Sequence, residues 1–226
     1  MEKISLYHGS TKVIEKPVLG LGNPKNDYGL GFYCTENLEL AKEWASTERS
    51  DGFANSYEIG FEGLNILYLN KAPYHILNWL SILLQNRTFV ISQGLPSEAK
   101  AYLLDNFLPE YEHYDLIIGY RADDSYFSFA NAFLNNTISL EQLRKAMFLG
   151  KLGEQMVLKS EEAFSRLVFK KSIPVDSNLY YPKRQARDRQ AREDFQNEKA
   201  VVSPSDAIYM IDILRQKWTN EDPRLQ

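Results

Sequence analysis

The sequence predicts a protein of the α+β class, in which strands and helices fall in separate stretches of the chain. Residues 3–8 alternate apolar and polar side chains, as a short strand does. From Pro73 the pattern changes to that of amphipathic helices, and strand patterning returns at residues 153–160. Segregated strands and helices of this kind are typical of an α+β fold rather than of alternating βα units.

Length and composition indicate one globular domain over residues 1–226. A chain of 226 residues can bury a substantial core, and a content of 44% hydrophobic and 25% charged residues is typical of globular proteins. Within this single domain we expect a helical insertion at about residues 73–110 and a C-terminal helical extension at about residues 182–226.

The composition also limits the partners. The net charge of −4 disfavours a mainly electrostatic grip on nucleic acid. One cysteine and three scattered histidines exclude a disulfide framework and the common zinc spacings, so we expect no metal site. The chain contains no secretory signal and no run of about eighteen apolar residues, which predicts no membrane partner and a cytoplasmic location.

The first quarter of the chain contains short strands and one helix. A loop with turn chemistry at residues 20–25 separates the first strand from a second strand at residues 31–35. Thr35 is expected to cap a helix over residues 36–45, and the apolar face of that helix includes Trp44.

Two longer strand patterns come next. Residues 53–61 and 64–69, joined through Glu62-Gly63, predict a β-hairpin. The insertion then contributes amphipathic helices over residues 74–86 and 97–108, each with a proline at one end.

The second half of the chain begins with a buried strand. Residues 114–120 form a nearly continuous apolar run, which suits a strand covered on both faces. Two helices follow, at residues 126–134 and 139–148. Ser139 is the expected N-cap of the second helix, and Gln142 completes a capping box.

Strand patterning then resumes before the C-terminal extension. Residues 153–160 predict a strand led by two polar side chains, with residues 164–170 as its neighbouring strand. A mixed-charge segment at residues 183–194 has almost no apolar stripe, and residues 205–218 predict a final helix.

Two clusters of aromatic residues and glycine point to a binding pocket. Tyr7-His8-Gly9-Ser10 ends the first strand, and Asp27-Tyr28-Gly29-Leu30-Gly31-Phe32-Tyr33-Cys34-Thr35 contains the second. Glycine lets a ligand approach the backbone closely, because no Cβ stands in the way. A ring nitrogen and a phenol beside glycine therefore predict a pocket for a flat ring.

These two clusters, followed by Glu154-Gln155 at the start of a late strand, resemble the ADP-ribosyltransferase class of diphtheria toxin and the poly-ADP-ribose polymerases. That class carries a histidine, a tyrosine and an acid on three separated strands. The chain is similar to a bacterial family named domain of unknown function 3990, which is grouped with those transferases. The resemblance covers residues 4–170 or so and implies an ADP-ribosyltransferase-type split β core with helical insertions.

The resemblance implies roles for residues of both clusters. His8 would hydrogen-bond a ribose hydroxyl of NAD, and the backbone of Gly9 would pair with the nicotinamide carboxamide. Ser10, the next residue, is a further candidate contact. Tyr33 would stack on the nicotinamide ring. Trp44 occupies the place of a second stacking aromatic, although core packing explains a tryptophan there equally well.

Four other positions either depart from the pattern of the class or have two possible roles. Ala41 stands where a serine usually helps to hold the carboxamide, so that contact is missing. Arg121, Asp123 and Asp124 follow the buried strand and either pair with one another in a capped turn or face the cleft. In the second case they contact NAD or the acceptor, and Arg121 is the candidate for binding NAD.

The acid of the triad has two candidates. The strand pattern puts Gln155, rather than Glu154, where the class keeps its catalytic glutamate. Adjacent strand residues point to opposite faces, so only one of the two side chains faces the pocket. A glutamine can hydrogen-bond the ribose hydroxyl but supplies no negative charge, which implies mono-transfer at most.

The implied function is NAD-dependent mono-ADP-ribosyl transfer, with NAD as a substrate and an unknown protein or nucleic acid as the acceptor. By analogy with bacterial enzymes of this class, a toxin or defence role and an antitoxin partner are expected. Two alternatives stay open: an inactive module that binds NAD or ADP-ribose, and an NAD glycohydrolase.

Other chemistry-bearing residues have simpler explanations. His75 and His113 are expected to be structural, and Cys34 is expected to be a small buried hydrophobe. The arginine-rich stretch at residues 184–192 is either a solvated helix face, since its acids nearly cancel its bases, or a contact for the acceptor.

Overall fold

The fold combines two β-sheets with a layer of helices, as a computed structural model describes it for residues 3–88, 90–122, 124–149, 153–201 and 204–225. The α+β class predicted from the sequence is therefore confirmed. The described residues form seven strands: β1 Lys3–Ser10, β2 Phe32–Cys34, β3 Gly52–Gly60, β4 Ile66–Tyr68, β5 Leu116–Tyr120, β6 Glu154–Leu158 and β7 Val168–Val175.

The strands divide between two sheets. The first sheet has the order β1-β3-β7 with antiparallel neighbours. The second has the order β2-β6-β5-β4, in which only the β4–β5 pair is parallel. A backbone bridge links the sheets, because Tyr7 and Thr35 each donate an N–H to the other's carbonyl, at 2.8 and 3.0 Å. This bridge holds the end of β1 beside β2.

An apolar core fills the space between the sheets. Leu6 and Tyr57 of the first sheet share a buried cluster with Cys34, Ile118 and Met156 of the second. Side chains alternate along a strand, so the residues next to Cys34 and Met156 in sequence point to the opposite face of the second sheet. That opposite face carries the candidate site.

The described residues also form eight α-helices: α1 Leu38–Ala45, α2 Ile76–Asn86, α3 Leu95–Phe107, α4 Asp124–Leu134, α5 Leu140–Ala146, α6 Glu161–Ser165, α7 Ser177–Ala200 and α8 Met210–Gln216. A short 3₁₀ helix spans Pro223–Leu225. Helices α2 and α3 lie within the stretch predicted as an insertion. Helix α7 begins directly after β7 and contacts α1, α4 and α5.

The large apolar core lies among the helices. Its buried members include Trp79 and Leu80 of α2, Leu103 of α3, and Phe129 and Phe133 of α4. Burying a side chain of this size stabilises the fold by about 1.5–3 kcal/mol relative to leaving it exposed. Among the described residues, no helix has both the length and the apolar character needed to cross a membrane.

Two predicted strand pairings are wrong. A turn does occur at Gly63, whose φ is 77°, but β3 before it belongs to the first sheet and β4 after it to the second. β4 pairs with β5 instead of forming a hairpin. Residues 164–170 are not a strand beside β6, because α6 occupies the start of this stretch and β7 pairs with β3. Local turn signals do not specify which sheet a strand joins.

Helix boundaries differ from the predictions at two ends. The N-cap of α1 is Asn37 rather than Thr35, and its side chain accepts from the backbone N–H groups of Glu39 and Leu40. The final helix α8 is shorter than the predicted stretch and begins at Met210. The capping box of α5 is confirmed, because Ser139 Oγ accepts from Gln142 N at 3.2 Å and Gln142 Oε1 accepts from Ser139 N at 2.9 Å.

Candidate functional site

A cavity of about 280 Å³ lies where β5 ends and β6 begins, on the face of the second sheet away from the inter-sheet core. We call it the Asp27 cavity. It is lined by Asn26, Asp27, Tyr33, Trp44, Arg87, Arg121, Ala122, Gln155 and Arg184. The structure thus brings four of the residues predicted from the sequence, Tyr33, Trp44, Arg121 and Gln155, to one place.

Tyr33 is a fixed wall of this cavity. Its hydroxyl donates to the Gly29 carbonyl at 2.6 Å and accepts from the Tyr28 backbone N–H at 3.1 Å. Burial raises the pKa of the Tyr33 phenol well above its ordinary value, so the ring stays neutral. With both hydroxyl functions satisfied locally, the ring face is the part of Tyr33 left for a ligand.

The Gln155 side chain lies on the cavity side of β6 and is buried. Its Nε2 donates to Asp27 Oδ2 at 2.8 Å and to the Tyr120 carbonyl at 3.2 Å. Glu154 lies on the other face, where it is exposed and accepts from the Asn70 side-chain amide. Of the two candidates for the acid position, Gln155 is therefore the one that lines the cavity.

Asp27 supplies a carboxylate that the sequence-based prediction did not include in the site. Its Oδ2 also accepts from the Ala122 backbone N–H at 3.0 Å, and its Oδ1 lies 3.1 Å from Arg87 Nε. Burial raises the pKa of Asp27, while Arg87 and the hydrogen bond from Gln155 lower it. All these partners are donors or cations, so the ionised carboxylate is the form that satisfies them.

Trp44 lines the cavity from α1, with a guanidinium on one face of its ring. The Arg121 guanidinium carbon lies 3.3 Å from the Trp44 ring centroid, which is a cation–π contact. Arg121 therefore belongs to the cleft rather than only to a turn. Asp123 lies outside the described residues, and α4 begins at Asp124.

A second cavity of about 400 Å³ adjoins the first, because Asn26 and Tyr33 line both. We call it the His8 cavity. The remaining lining residues are His8, Ile14, Lys16, Pro17, Val18, Leu21, Gly22, Asn23, Gly31 and Phe32. His8 and Tyr33 thus line this cavity together, and Tyr33 lines the Asp27 cavity as well.

The His8 ring has a fixed orientation and a defined tautomer. It stacks on Phe32 with a centroid separation of 4.3 Å, and its Nδ1 lies 2.7 Å from the Tyr33 carbonyl. A carbonyl only accepts, so Nδ1 carries the proton and Nε2 is the acceptor in the neutral ring. Burial lowers the pKa of His8, which favours that neutral form.

Gly9 and Ser10, the other predicted contacts of this cluster, line neither cavity. A Cβ at Gly9 would lie 2.2 Å from the Ala41 carbonyl oxygen, because α1 packs tightly on β1. The close packing of α1 on β1 therefore requires glycine at this position. Ser10 Oγ accepts from the Lys12 backbone N–H at 3.2 Å.

Helix α7 contributes to the site from outside the two sheets. Arg184 lines the Asp27 cavity and also a larger cavity of about 650 Å³, the α7 cavity, whose other lining residues are Thr47, Glu48, Tyr181, Gln185, Asp188, Arg189 and Arg192. An ion pair between Arg187 and Glu43 fastens α7 to α1. The arginine-rich stretch is thus a wall of the candidate site as well as a solvated helix face.

Sequence reasoning did not place four lining residues of the Asp27 cavity in the site: Asn26, Asp27, Arg87 and Ala122. Asp27 stands at the head of the second glycine cluster, so its position was a usable signal. Arg87 follows α2, and no local sequence pattern indicates its place in the site, because its partner Asp27 lies 60 positions earlier in the chain.

The fold and the site define an α+β protein with two sheets and a charged cavity at the ends of strands of the second sheet. Residues 4–169 match a family described as "Protein of unknown function (DUF3990)", and the chain belongs to that family. No curated protein and no solved structure matches the chain. Helix α7, with Arg184, lies beyond the matched residues.

Proposed function

We propose that this protein has an ADP-ribosyltransferase-type fold and transfers a single ADP-ribose from NAD to a macromolecular acceptor. The observation that carries the proposal is the convergence of Tyr33, Trp44 and Gln155 on the Asp27 cavity. These residues come from β2, α1 and β6, and the resemblance to the transferase class assigns each of them to the nicotinamide site. Their common cavity is what a shared ligand requires.

The two adjoining cavities suit the two ends of NAD. Pockets for drug-sized ligands commonly measure roughly 300–1,000 Å³. The Asp27 cavity, at about 280 Å³, is large enough for nicotinamide and its ribose but not for the whole dinucleotide. The diphosphate lies beside the arginines of the Asp27 cavity, and the adenosine end passes Tyr33 and enters the His8 cavity, where His8 Nε2 accepts from a ribose hydroxyl.

The charge of the Asp27 cavity suits the diphosphate of NAD. Three arginines, Arg87, Arg121 and Arg184, line it together with one aspartate, so the lining residues carry an excess of positive charge. Guanidinium groups bind phosphate oxygens well because their N–H donors match the phosphate geometry. Since Arg121 covers one face of Trp44, Tyr33 is the ring that nicotinamide contacts first.

The reaction begins with departure of nicotinamide. The bond between the ribose C1′ and the nicotinamide nitrogen breaks, both electrons leave with nicotinamide, and positive charge develops on the ribose. Fixed dipoles aimed at this charge stabilise the transition state. The acceptor's nucleophile then forms a bond to C1′ and loses its proton to water.

The acceptor reaches this site from the α7 side. The α7 cavity is joined to the Asp27 cavity at Arg184 and also contains Tyr181, Arg189 and Arg192. A protein or nucleic acid with an anionic group fits this lining. A toxin or defence role, with an antitoxin partner, follows by analogy with bacterial transferases.

The test uses the full chain and NAD. We expect calorimetry to detect NAD binding and chromatography to detect free nicotinamide, with labelled ADP-ribose appearing on an acceptor from bacterial lysate. Gln155→Ala is expected to abolish nicotinamide release, and Glu154→Gln to preserve it. The absence of any NAD or nicotinamide binding to folded protein would refute the proposal.

A second candidate function is an inactive module that binds NAD or ADP-ribose. The observation in its favour is the neutral amide of Gln155 at the position of the class's glutamate. Binding of NAD without nicotinamide release would identify the module. Release of nicotinamide with free ADP-ribose, and no labelled acceptor, would identify a glycohydrolase.

A further inference from the structure

The pairing of Asp27 with Gln155 gives the site a carboxylate at an unexpected position. Asp27 and Gln155 are 128 residues apart in the chain, yet Asp27 Oδ2 lies 2.8 Å from Gln155 Nε2. Asp27 is only 5% exposed, and Gln155 only 3%. Both side chains line the same cavity, so a ligand that contacts Gln155 also lies near the charge of Asp27.

The contacts of Gln155 determine which atom of its amide is left for a ligand. The nitrogen faces two acceptors, the Asp27 carboxylate and the Tyr120 carbonyl, and an amide nitrogen has two hydrogens. The opposite amide orientation would place an oxygen against both acceptors. The oxygen Oε1 therefore remains to accept a hydrogen bond from a ligand hydroxyl.

We infer that Asp27 is a positioning residue that fixes the Gln155 amide and supplies the negative charge of the site. The pair together then does what one glutamate does in the transferase class. Gln155 Oε1 accepts from the ribose hydroxyl, and Asp27 polarises the amide as positive charge develops on the ribose. This inference rests on the proposed function.

The pairing also explains the glutamine. A glutamate at position 155 would place a second carboxylate at hydrogen-bond distance from Asp27 in a buried site. Two carboxylates so close cannot both ionise, so one of them must take up a proton. An amide avoids this conflict because it donates to Asp27 at every pH.

Four proteins test the inference: the natural chain, Asp27→Asn, Gln155→Glu and Gln155→Ala. Nicotinamide release is measured as kcat and KM from pH 5 to pH 9. We expect Asp27→Asn to lower kcat roughly 100-fold, the scale of losing one preorganised electrostatic contact, with KM changed much less. Asp105→Asn, on the exposed face of α3, is the matched control and should behave like the natural chain.

Gln155→Glu distinguishes this inference from the alternative that the site merely lacks the glutamate of the class. If Asp27 supplies the charge, Gln155→Glu is less active than the natural chain at pH 8. Its activity should rise as the pH falls, because a protonated Glu at 155 again donates to Asp27. Gln155→Ala should show no such recovery. A Gln155→Glu protein more active than the natural chain at pH 8, with Asp27→Asn fully active, would overturn the inference.

Unfolding measurements on the same proteins do not depend on NAD. The extra carboxylate in Gln155→Glu has a raised pKa in the folded protein, so the free energy of unfolding should fall as the pH rises through that pKa. If this slope is found but the natural chain releases no nicotinamide, the Asp27–Gln155 pairing is supported and the proposed transferase activity is refuted. If the free energy of unfolding depends on pH equally in Gln155→Glu and the natural chain, the inferred pairing itself is refuted.

Discussion

The two cavities on either side of Tyr33 are built in different ways. The Asp27 cavity is lined mainly by polar and charged side chains, which come from segments spread from residue 26 to residue 184. The His8 cavity is lined mainly by apolar side chains, and most of them belong to one loop between β1 and β2. The loop is held at Ile14, whose backbone N–H donates to Asn55 Oδ1 at 3.1 Å.

The two cavities should therefore respond differently to substitution. A buried charge must be paired, so Asp27 depends on its contacts with Arg87 and Gln155. A loop that lines a cavity with apolar side chains tolerates substitution more easily, because no buried charge is left unpaired. We therefore expect substitutions of the buried Asp27, Arg87 and Gln155 to affect folding and chemistry together, and substitutions in the apolar loop of the His8 cavity to affect mainly ligand binding.

The largest expected effect is that of Arg87→Met. The Arg87 and Asp27 side chains are 22% and 7% exposed, so the substitution leaves a largely buried carboxylate without its cation. Removing one partner of a buried pair costs about 3–5 kcal/mol. Urea unfolding at pH 7 measures the loss of free energy of unfolding.

The matched control for Arg87→Met is Arg166→Met. Arg166 pairs with Glu162 one turn away on the surface, and such helix pairs contribute about 0.3–0.5 kcal/mol. Because the unpaired Asp27 of Arg87→Met is more easily protonated, its destabilisation should shrink as the pH is lowered from 7 to 5. Equal losses in the two variants would show that the Asp27–Arg87 pair contributes no more to stability than a surface pair.

The next effect is that of Tyr33→Phe, which acts on the wall between the cavities. It removes the hydroxyl that joins Gly29 and Tyr28 but keeps the ring. Loss of these hydrogen bonds should cost about 1–3 kcal/mol of unfolding free energy. NAD affinity should change little, because stacking depends on the ring.

Tyr33→Ala removes the ring as well and serves as the comparison. It should weaken NAD binding at least tenfold in calorimetry and merge the two cavities. A loss of affinity in Tyr33→Phe as large as that in Tyr33→Ala would show that the hydroxyl, and not the ring face, contacts the ligand.

In this protein the sequence predicts local structure better than it predicts which distant segments pair with one another. The α5 capping box lies within four residues, and its side-chain chemistry specifies it completely. The pairing of β4 with β5 depends on packing across the intervening helices α2 and α3, which no local turn signal encodes. For this reason the class of the fold is predictable, while the sheet that β4 joins after the turn at Gly63 is not.

The same limit applies to the candidate site. Tyr33 and Gln155 belong to recognisable clusters, so their place in one cavity was predictable as a hypothesis. Asp27 belongs to the second cluster too, but its partners were not predictable, since its hydrogen bond to Gln155 and its ion pair with Arg87 join distant segments. The available signal was the neutral Gln155 at the position where the resemblance predicts an acid, because it indicates that another residue would have to supply the negative charge.

The third prediction concerns pH and the His8 cavity. Burial lowers the pKa of His8 from its ordinary value of 6.5, so the unfolded chain binds more protons than the folded protein just below that pH. The stability that neutral His8 contributes is present above pH 6.5 and is lost as the pH falls through the lowered pKa.

His8→Gln should remove this part of the pH dependence. A glutamine amide can still donate to the Tyr33 carbonyl but does not titrate. His75 also has a pKa lowered by burial, so the difference between His8→Gln and the natural chain isolates His8. Thermal unfolding from pH 5 to pH 8 measures it, and parallel curves for the two proteins would contradict the prediction.

The smallest effect on folding is expected for Arg184→Ala, which tests the wall that α7 adds. Arg184 is exposed, and surface substitutions usually change the free energy of unfolding by less than about 0.5 kcal/mol. Its guanidinium nevertheless lines both the Asp27 cavity and the α7 cavity, so NAD binding or acceptor labelling should weaken. Calorimetry and labelling separate these two roles: Arg184 binds NAD if affinity falls, and it binds the acceptor if only labelling falls. Unchanged affinity and labelling would show that Arg184 is not part of the site, which would then consist of residues within the family match.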